Sequence, residues 1–292
     1  MKKAKITFIG GDLRQIAAAR TLSADGNDVT LYGFDDLKSV PSGIVRENDI
    51  AAAEYGADVI VLPLPYGHDG KINCPLTKEE IMLRTVTELC GNALILGGKF
   101  DRKAYGIAAA HNNKMTDYYE REELSVLNAV PTAEGAVEIA MRELPITVFG
   151  MKTAVIGYGR VGAVLASTLR ALGADVTVAA RSPSARAWAK INGCTAVGIN
   201  ELPAVVGDFS CVFNTVPALV VDGSVTDAMR QDALIIDLAS APGGVDTGAA
   251  EKAGIKCISA LSLPGRVAPD TAGEIIAETI ENILIQEDII QK

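Results

Sequence analysis

Three glycines, Gly157, Gly159 and Gly162, stand at G-x-G-x-x-G spacing inside the stretch Lys152-Thr-Ala-Val-Ile-Gly-Tyr-Gly-Arg-Val-Gly162. The chemistry such a stretch supports is the holding of a pyrophosphate. The first glycine permits a tight strand-to-helix turn, the second lets the backbone approach the phosphates, and the third lets the helix pack closely on the strand. The helix that follows points its positive end at the anion. Gly157, Tyr158, Gly159, Arg160, Val161 and Gly162 are therefore the candidate phosphate-holding residues. The spacing alone is a weak signal. Its context strengthens it: the apolar run Ala154-Val155-Ile156 precedes it, a helical pattern follows from Arg160, and Gly173-Ala-Asp-Val-Thr-Val-Ala-Ala180 supplies a second strand.

The end of that second strand decides which dinucleotide is expected. A site for NAD normally has Asp or Glu there to accept from the ribose 2′-hydroxyl. This chain has Ala180, Arg181 and Ser182. With no carboxylate to repel it, a 2′-phosphate can sit against the Arg181 guanidinium and the Ser182 hydroxyl, so NADP (NADPH) is the cofactor expected. The next strands, Cys211-Val-Phe-Asn-Thr-Val-Pro217 and Ala233-Leu-Ile-Ile-Asp-Leu-Ala-Ser240, end in Thr215, Val216, Pro217 and in Leu238, Ala239, Ser240. These ends face the nicotinamide half of a dinucleotide and join the cofactor set. Arg266, in the loop Leu261-Ser-Leu-Pro-Gly-Arg266, is a candidate for holding a substrate carboxylate bidentately. The two histidines, His68 and His111, lack a spaced partner for metal ligation. No G-x-S-x-G elbow is present for a serine nucleophile.

The elements needed to position these residues recur in the first half. Lys5-Ile-Thr-Phe-Ile-Gly10 mirrors Thr153-Ala-Val-Ile-Gly157, and Gly26-Asn-Asp-Val-Thr-Leu mirrors Gly173-Ala-Asp-Val-Thr-Val at the same offset of 16 residues. Each half thus opens with one β-α-β unit, and an α/β protein of two doubly wound, Rossmann-like domains is predicted. In the first half, Asp12 and Gln15 replace the second and third glycines, which predicts a relative of the fold without its dinucleotide. Further strands are expected at Val59–Leu62, Ala93–Leu96 and Lys256–Ser259, a helix over Glu79–Leu89, and a long Pro/Gly-rich loop over Pro63–Pro75. The domains expected are a Rossmann-like substrate or partner domain over 1–130, a linking helix over 131–145, an NADP-binding domain over 146–267, and a C-terminal helix over 268–292 packing back on the first domain. Thr132 is the expected N-cap of the linking helix, with Glu134 in its first turn.

Composition agrees with that plan. The 292 residues suffice for two domains, and 49% hydrophobic with only 5% aromatic residues suits cores of Val, Ile, Leu and Ala. A net charge of −9 without a basic block argues against nucleic acid. No apolar run reaches the roughly 18–20 residues of a membrane span, and the N-terminus lacks a signal-peptide pattern. Five scattered cysteines read as reduced thiols of a cytoplasmic protein.

Taken in order, Gly10-Gly-Asp-Leu-Arg-Gln15, Gly33-Phe-Asp35, Val130-Pro-Thr-Ala-Glu-Gly135, the glycine turn, Ala180-Arg-Ser182 and Asn214-Thr-Val-Pro217 resemble the A subunits of dipicolinate synthase over nearly the whole length. The resemblance is most specific in Asp237-Leu-Ala-Ser-Ala-Pro-Gly-Gly-Val-Asp246 and Leu263-Pro-Gly-Arg-Val-Ala-Pro-Asp-Thr-Ala-Gly273. A more distant similarity runs to alanine dehydrogenase, transhydrogenase and the 2-hydroxyacid dehydrogenases, whose catalytic Lys or His motifs are not found here. The closer resemblance implies oxidation of a dihydrodipicolinate-type heterocycle, from the lysine pathway, to pyridine-2,6-dicarboxylate with NADP. It also implies a flavoprotein-like partner, the B subunit of dipicolinate synthase, and a place in the mother-cell cytoplasm during sporulation. Two substrate carboxylates call for cationic or N–H donors, for which Arg14, Thr132 and Arg266 are the candidates. Glu134 and His111 are the candidates for the acid–base role, with an ordered water as the alternative. Two other readings stay open: a different NADP-dependent dehydrogenase of a small carboxylate, and a non-catalytic NADP-binding subunit. The sequence leaves the oligomeric state open, a homo-oligomer included.

Overall fold

The computed structural model describes residues 3–291, which divide into two compact units, 3–127 with 268–291 and 128–267. Strands of the first unit are β1 (Lys5–Ile9), β2 (Asp28–Tyr32), β3 (Ile44–Arg46), β4 (Val59–Val61), a small hairpin of β5 (Gly67–His68) and β6 (Lys71–Ile72), β7 (Leu94–Gly97) and β8 (Met115–Asp117). Its helices begin with α1 (Leu13–Ala24), α2 (Ile50–Glu54), α3 (Leu83–Leu89), α4 (Arg102–Ala110) and α5 (Glu122–Leu127). Six of the strands form one parallel sheet in the order β3-β2-β1-β4-β7-β8. Both faces are covered, so Ile6, Phe8, Val59, Val61, Ile95 and Leu96 are all fully buried.

The second unit contains α6 (Ala129–Glu143), β9 (Lys152–Ile156), α7 (Arg160–Ala171), β10 (Asp175–Ala179), α8 (Pro183–Ile191) and β11 (Thr195–Val197). It continues through α9 (Leu202–Val205), β12 (Cys211–Asn214), α10 (Gly223–Thr226), β13 (Leu234–Asp237), α11 (Thr247–Lys252), β14 (Lys256–Ser259) and α12 (Leu263–Val267). Its parallel sheet runs β11-β10-β9-β12-β13-β14. Both sheets thus reverse direction beside their first strand, the switch point at whose carboxyl side ligands of open α/β sheets bind.

The last helix, α13 (Pro269–Gln286), belongs to the first unit and lies on α1. The sequence permits this by small residues on both sides. Ala17, Ala18 and Ala19 of α1 are buried, and a Cβ on Gly273 would stand 2.4 Å from the Arg14 carbonyl oxygen and 2.5 Å from the Ala17 Cβ. The helices approach closely, and Ile275, Ile276, Ile280, Ile283 and Leu284 complete the core around Leu22 and Phe8.

Three local expectations are corrected. The helix expected over 131–145 spans Ala129–Glu143, because Pro131 falls in its first turn, where a missing N–H costs nothing. Only Leu83–Leu89 of the stretch 79–89 is helical; Ile81 is buried as extended chain, its carbonyl accepting from Ile72 N at 2.9 Å. The loop 63–75 carries the β5–β6 hairpin, and its Asn73 carbonyl accepts from Gly11 N at 2.9 Å.

One core group is out of balance. Glu54, at the end of α2, is 3% exposed and neither carboxylate oxygen has a hydrogen-bond partner. Burial pushes its carboxyl from the ordinary 4.5 up to about 8. The folded chain therefore holds a proton that the unfolded chain releases above about pH 4.5. Stability is full below that pH and falls as pH rises towards 8, by at most about 1.4 kcal/mol per pH unit. Glu54→Gln is expected to match the parent at pH 5 and to exceed it by roughly 2–4 kcal/mol at pH 8 in denaturant unfolding. Equal stability differences at both pH values would contradict this.

Candidate functional site

The glycine turn of the second unit joins β9 to α7. Gly157 has φ +93°, and a Cβ there would stand 2.4 Å from Thr215 Oγ1. A Cβ on Gly162 would stand 2.3 Å from the Gly157 carbonyl oxygen, so strand and helix close on each other only through glycine. Gly159 is different. A Cβ on it meets no protein atom within 4 Å, and its φ of −86° suits any residue. Nothing in the protein's own packing calls for glycine at 159. Gly159 is also the N-cap of α7, and no side chain caps that helix end.

The equivalent turn of the first unit is closed. Asp12 N-caps α1, accepting from Arg14 N at 2.9 Å, while Gln15 Oε1 accepts from Asp12 N at 3.1 Å. The Asp12 carboxylate then pairs with the Arg14 guanidinium at 2.8 Å. Gly11 N is taken by Asn73, and a Cβ on Gly10 would stand 2.4 Å from Cys74 Sγ. The hairpin loop and a carboxylate thus fill this turn from within the protein. Burial pushes the Cys74 thiol up to about 12, which keeps it protonated.

Beside the open turn, between the starts of α7 and α8, lies a cavity of about 520 Å³. Tyr158, Arg160, Ser182, Ser184, Trp188 and Asn192 line it, with no carboxylate among the described residues of its lining. Ser182 N-caps α8 through Oγ, which accepts from Ala185 N at 3.4 Å and leaves its hydroxyl hydrogen free to donate. Arg181 is exposed, and its guanidinium makes no hydrogen bond or ion pair among the described residues. Ala180, which precedes it, is buried at the end of β10. Asn192 Nδ2 donates to Tyr158 Oη at 2.9 Å and ties the far wall together.

At the ends of β12 and β13, sequence reasoning missed the two residues that organise the loops. Asn214 pairs in register with Ile156 on one side and Asp237 on the other. Its Nδ2 donates to Asp237 Oδ1 at 2.8 Å and to the Val216 carbonyl at 3.0 Å, and its Oδ1 accepts from Val216 N at 3.1 Å. Asp237 also accepts from Ala239 N and from Gly244 N, both at 3.1 Å. A buried amide–carboxylate pair therefore fixes both Val216–Pro217 and Leu238–Ser240. The available signal was two polar residues in otherwise apolar strands. Thr215 Oγ1 donates to the Ile156 carbonyl at 2.8 Å, so towards a cofactor it can only accept. Ser240 and Pro217 are exposed, and Leu238 is half-buried.

The other candidates are not part of the turn itself. Thr132 is inside α6, not its N-cap; Asn128 holds that place, and the Thr132 hydroxyl donates to the Asn128 carbonyl at 2.7 Å. That leaves Thr132 no donor for a carboxylate. Glu134 faces a groove shared with Met141, Thr168 and Leu172, at the end of α7 remote from Gly159. Thr168 lies eight residues beyond Arg160, about 12 Å along the helix. His111 C-caps α4 next to Thr87, at the amino edge of the first sheet. His68 is 93% exposed on the hairpin, 3.9 Å from Asp101. Arg266 is exposed on α12, which packs through Leu263 and Val267 against Gly135 of α6. Among the described residues no cluster of His, Cys, Asp and Glu is placed to hold a metal ion, and no helix is long and apolar enough to cross a membrane.

Fold and turn together define a Rossmann-type oxidoreductase domain for a nicotinamide dinucleotide. Residues 152–241 match the family model of NADP oxidoreductase, coenzyme F420-dependent, and residues 5–119 match that of the N-terminal domain of the dipicolinate synthase A subunit. The dipicolinate synthase A subunit of Bacillus subtilis (strain 168) is 35% identical over 285 residues, covering 97% of this chain and 96% of the relative. The chain belongs to the family of dipicolinate synthase A subunits. The crystal structure of the Bacillus halodurans dipicolinate synthase A subunit superimposes with a TM-score of 0.88 at 32% identity, covering 97% of this chain and 99% of the other. A transhydrogenase from Sinorhizobium meliloti shares the fold, with a TM-score of 0.73 at 18% identity over 97% of this chain and 94% of the other.

The turn's geometry makes a contrast measurable without any ligand. Gly159→Ala is expected to fold within about 1 kcal/mol of the parent. Gly162→Ala, which must push Gly157 away, is expected to lose about 1–3 kcal/mol in urea unfolding. Equal losses would contradict the open position at 159.

Proposed function

We propose that the chain is an NADP-dependent oxidoreductase subunit that converts a dihydrodipicolinate-type heterocycle to pyridine-2,6-dicarboxylate. The observation that carries the cofactor half is the contrast between the two turns: Asp12 closes one, and Gly159 leaves the other open. On this reading unit 128–267 binds the dinucleotide and the first unit serves the substrate or a partner. The first turn of α7 holds the pyrophosphate. Arg181 and the Ser182 hydroxyl take the 2′-phosphate, with Ser184 of the same carboxylate-free cavity close by. When bound, NADP supplies the hydride acceptor. The chain's own residues then bind and orient: the Asn214–Asp237 pair holds the strand-end loops, and the Thr215 oxygen accepts from a sugar hydroxyl or carboxamide.

The substrate half rests on the family. Loss of a hydride to the nicotinamide and of a proton to a base or water leaves an aromatic ring, so the protein's task is positioning and carboxylate binding. Arg266 in the second unit and Arg14 in the first are the cations proposed from the sequence. The name of the relatives implies a further polypeptide, and the B subunit of dipicolinate synthase, in the cytoplasm of a sporulating cell, is the proposed partner. A second reading, an NADP-binding subunit whose partner does the chemistry, is favoured by one observation: Glu134 faces a groove at the end of α7 remote from Gly159. Dihydrodipicolinate oxidation by the chain alone, against a mixture with the B subunit, separates the two.

The single tryptophan, Trp188, lines the cavity beside Ser182 and reports on occupancy by fluorescence. NADPH is expected to bind at least tenfold more tightly than NADH. Arg181→Asp is expected to reduce that ratio by a factor of ten or more, about 1.4 kcal/mol. An unchanged ratio would remove Arg181 from the site.

A further inference from the structure

The carboxyl edge of the first sheet carries a cation that no motif marked. Strand β7 ends in Gly97-Gly98-Lys99. A Cβ on Gly97 would stand 2.4 Å from Phe100 Cζ, and one on Gly98 would stand 2.4 Å from Leu64 Cδ1. Both positions are packed shut, and Lys99 is the first side chain to project. It does so from a left-handed backbone, φ +59°. Three of the other four non-glycine residues with positive φ are Asp or Asn, which tolerate that region through short polar side chains. Lysine has no such compensation.

The conformation is held from outside. Asp117, 8% exposed at the end of β8, accepts from Lys99 N at 3.1 Å, Phe100 N at 2.8 Å and Tyr119 N at 2.8 Å. Gly98 N donates to the Pro63 carbonyl at 3.0 Å and Tyr66 N to the Gly98 carbonyl at 2.7 Å, which locks the turn to the loop after β4. The ammonium sits 4.6 Å from the centre of the Tyr119 ring and pairs with no carboxylate among the described residues. Arg14, the other cation here, is different. Its charge is matched by Asp12, and its Nη2 donates to the Leu64 carbonyl at 2.6 Å, so it braces the loop against which Gly98 packs. A strained backbone, over-determined by a buried carboxylate and delivering an unpaired cation to the ligand-binding edge of a parallel sheet, is the pattern of a functional position.

We propose that Lys99 binds one carboxylate of the substrate, with Tyr119 setting the direction of the ammonium and Asp117 the conformation of the turn. This rests on the dicarboxylate reading of the substrate. The test is calorimetric titration of the full chain, loaded with NADP, with pyridine-2,6-dicarboxylate and with pyridine-2-carboxylate. The parent is expected to bind the dicarboxylate at least tenfold more tightly. Lys99→Met is expected to lose tenfold or more for the dicarboxylate and to lose most of the discrimination, with NADPH affinity unchanged, and Lys99→Arg to stay within about threefold of the parent. Lys99→Gly relieves the backbone and is expected to melt higher than the parent while losing the same affinity, which a purely structural lysine would not do. A parent that binds NADPH but neither pyridine acid overturns the substrate reading itself. A parent that discriminates, with Lys99→Met and Lys99→Gly discriminating equally well, overturns Lys99 alone.

Discussion

The first turn of an α-helix must find partners for N–H groups that the helix cannot satisfy itself. This chain answers that constraint in two ways at equivalent places. At α1 the Asp12 carboxylate accepts from the first turn, Gln15 reciprocates, and the Asn73 carbonyl takes Gly11 N. At α7 the cap is Gly159, which offers no side-chain acceptor, and a Cβ there would meet no atom within 4 Å. The proposed roles of the two units follow from that difference. One turn is complete within the protein; the other is the one proposed to take an anion.

The surroundings of each turn are consistent with its state. In the second unit, glycine is required at 157 and 162 by contacts with Thr215 and with the turn's own carbonyl. The buried Asn214–Asp237 pair holds the neighbouring strand ends, where one misplaced peptide would spoil a binding surface. In the first unit, the closed turn has Arg14 braced on Leu64, and Lys99 projects from the same carboxyl edge over the Tyr119 ring.

Much of the fold was legible because it repeats. Strand, glycine and second strand return at one offset, and both copies place glycine at positive φ at positions 10, 26, 157 and 173. Long apolar strands were also plain. The short edge strands, Ile44–Arg46, Thr195–Val197 and Met115–Asp117, were not, since three residues mixing apolar and polar character carry no period. Pro131 and Thr132 read as a helix start because proline and a hydroxyl residue are common there, yet the preceding turn already provides the first helical residues. The candidate site was legible where the backbone itself needs glycine, at Gly157 and Gly162, while the proposed role of Arg181 and Ser182 rests on the absence of an acid in the sequence. It was illegible where a proposed role depends on a conformation. Lys99 is an ordinary surface lysine in sequence, and only its left-handed backbone and the three N–H groups on Asp117 set it apart.

The most direct test of the central claim is the number of NADPH molecules bound per chain, measured by calorimetric titration to saturation. An open turn at Gly159 and a closed one at Asp12 predict one. Two would mean that Asp12 and the hairpin loop do not exclude a dinucleotide from the first turn. None would mean that the glycines at 157, 159 and 162 serve the fold alone.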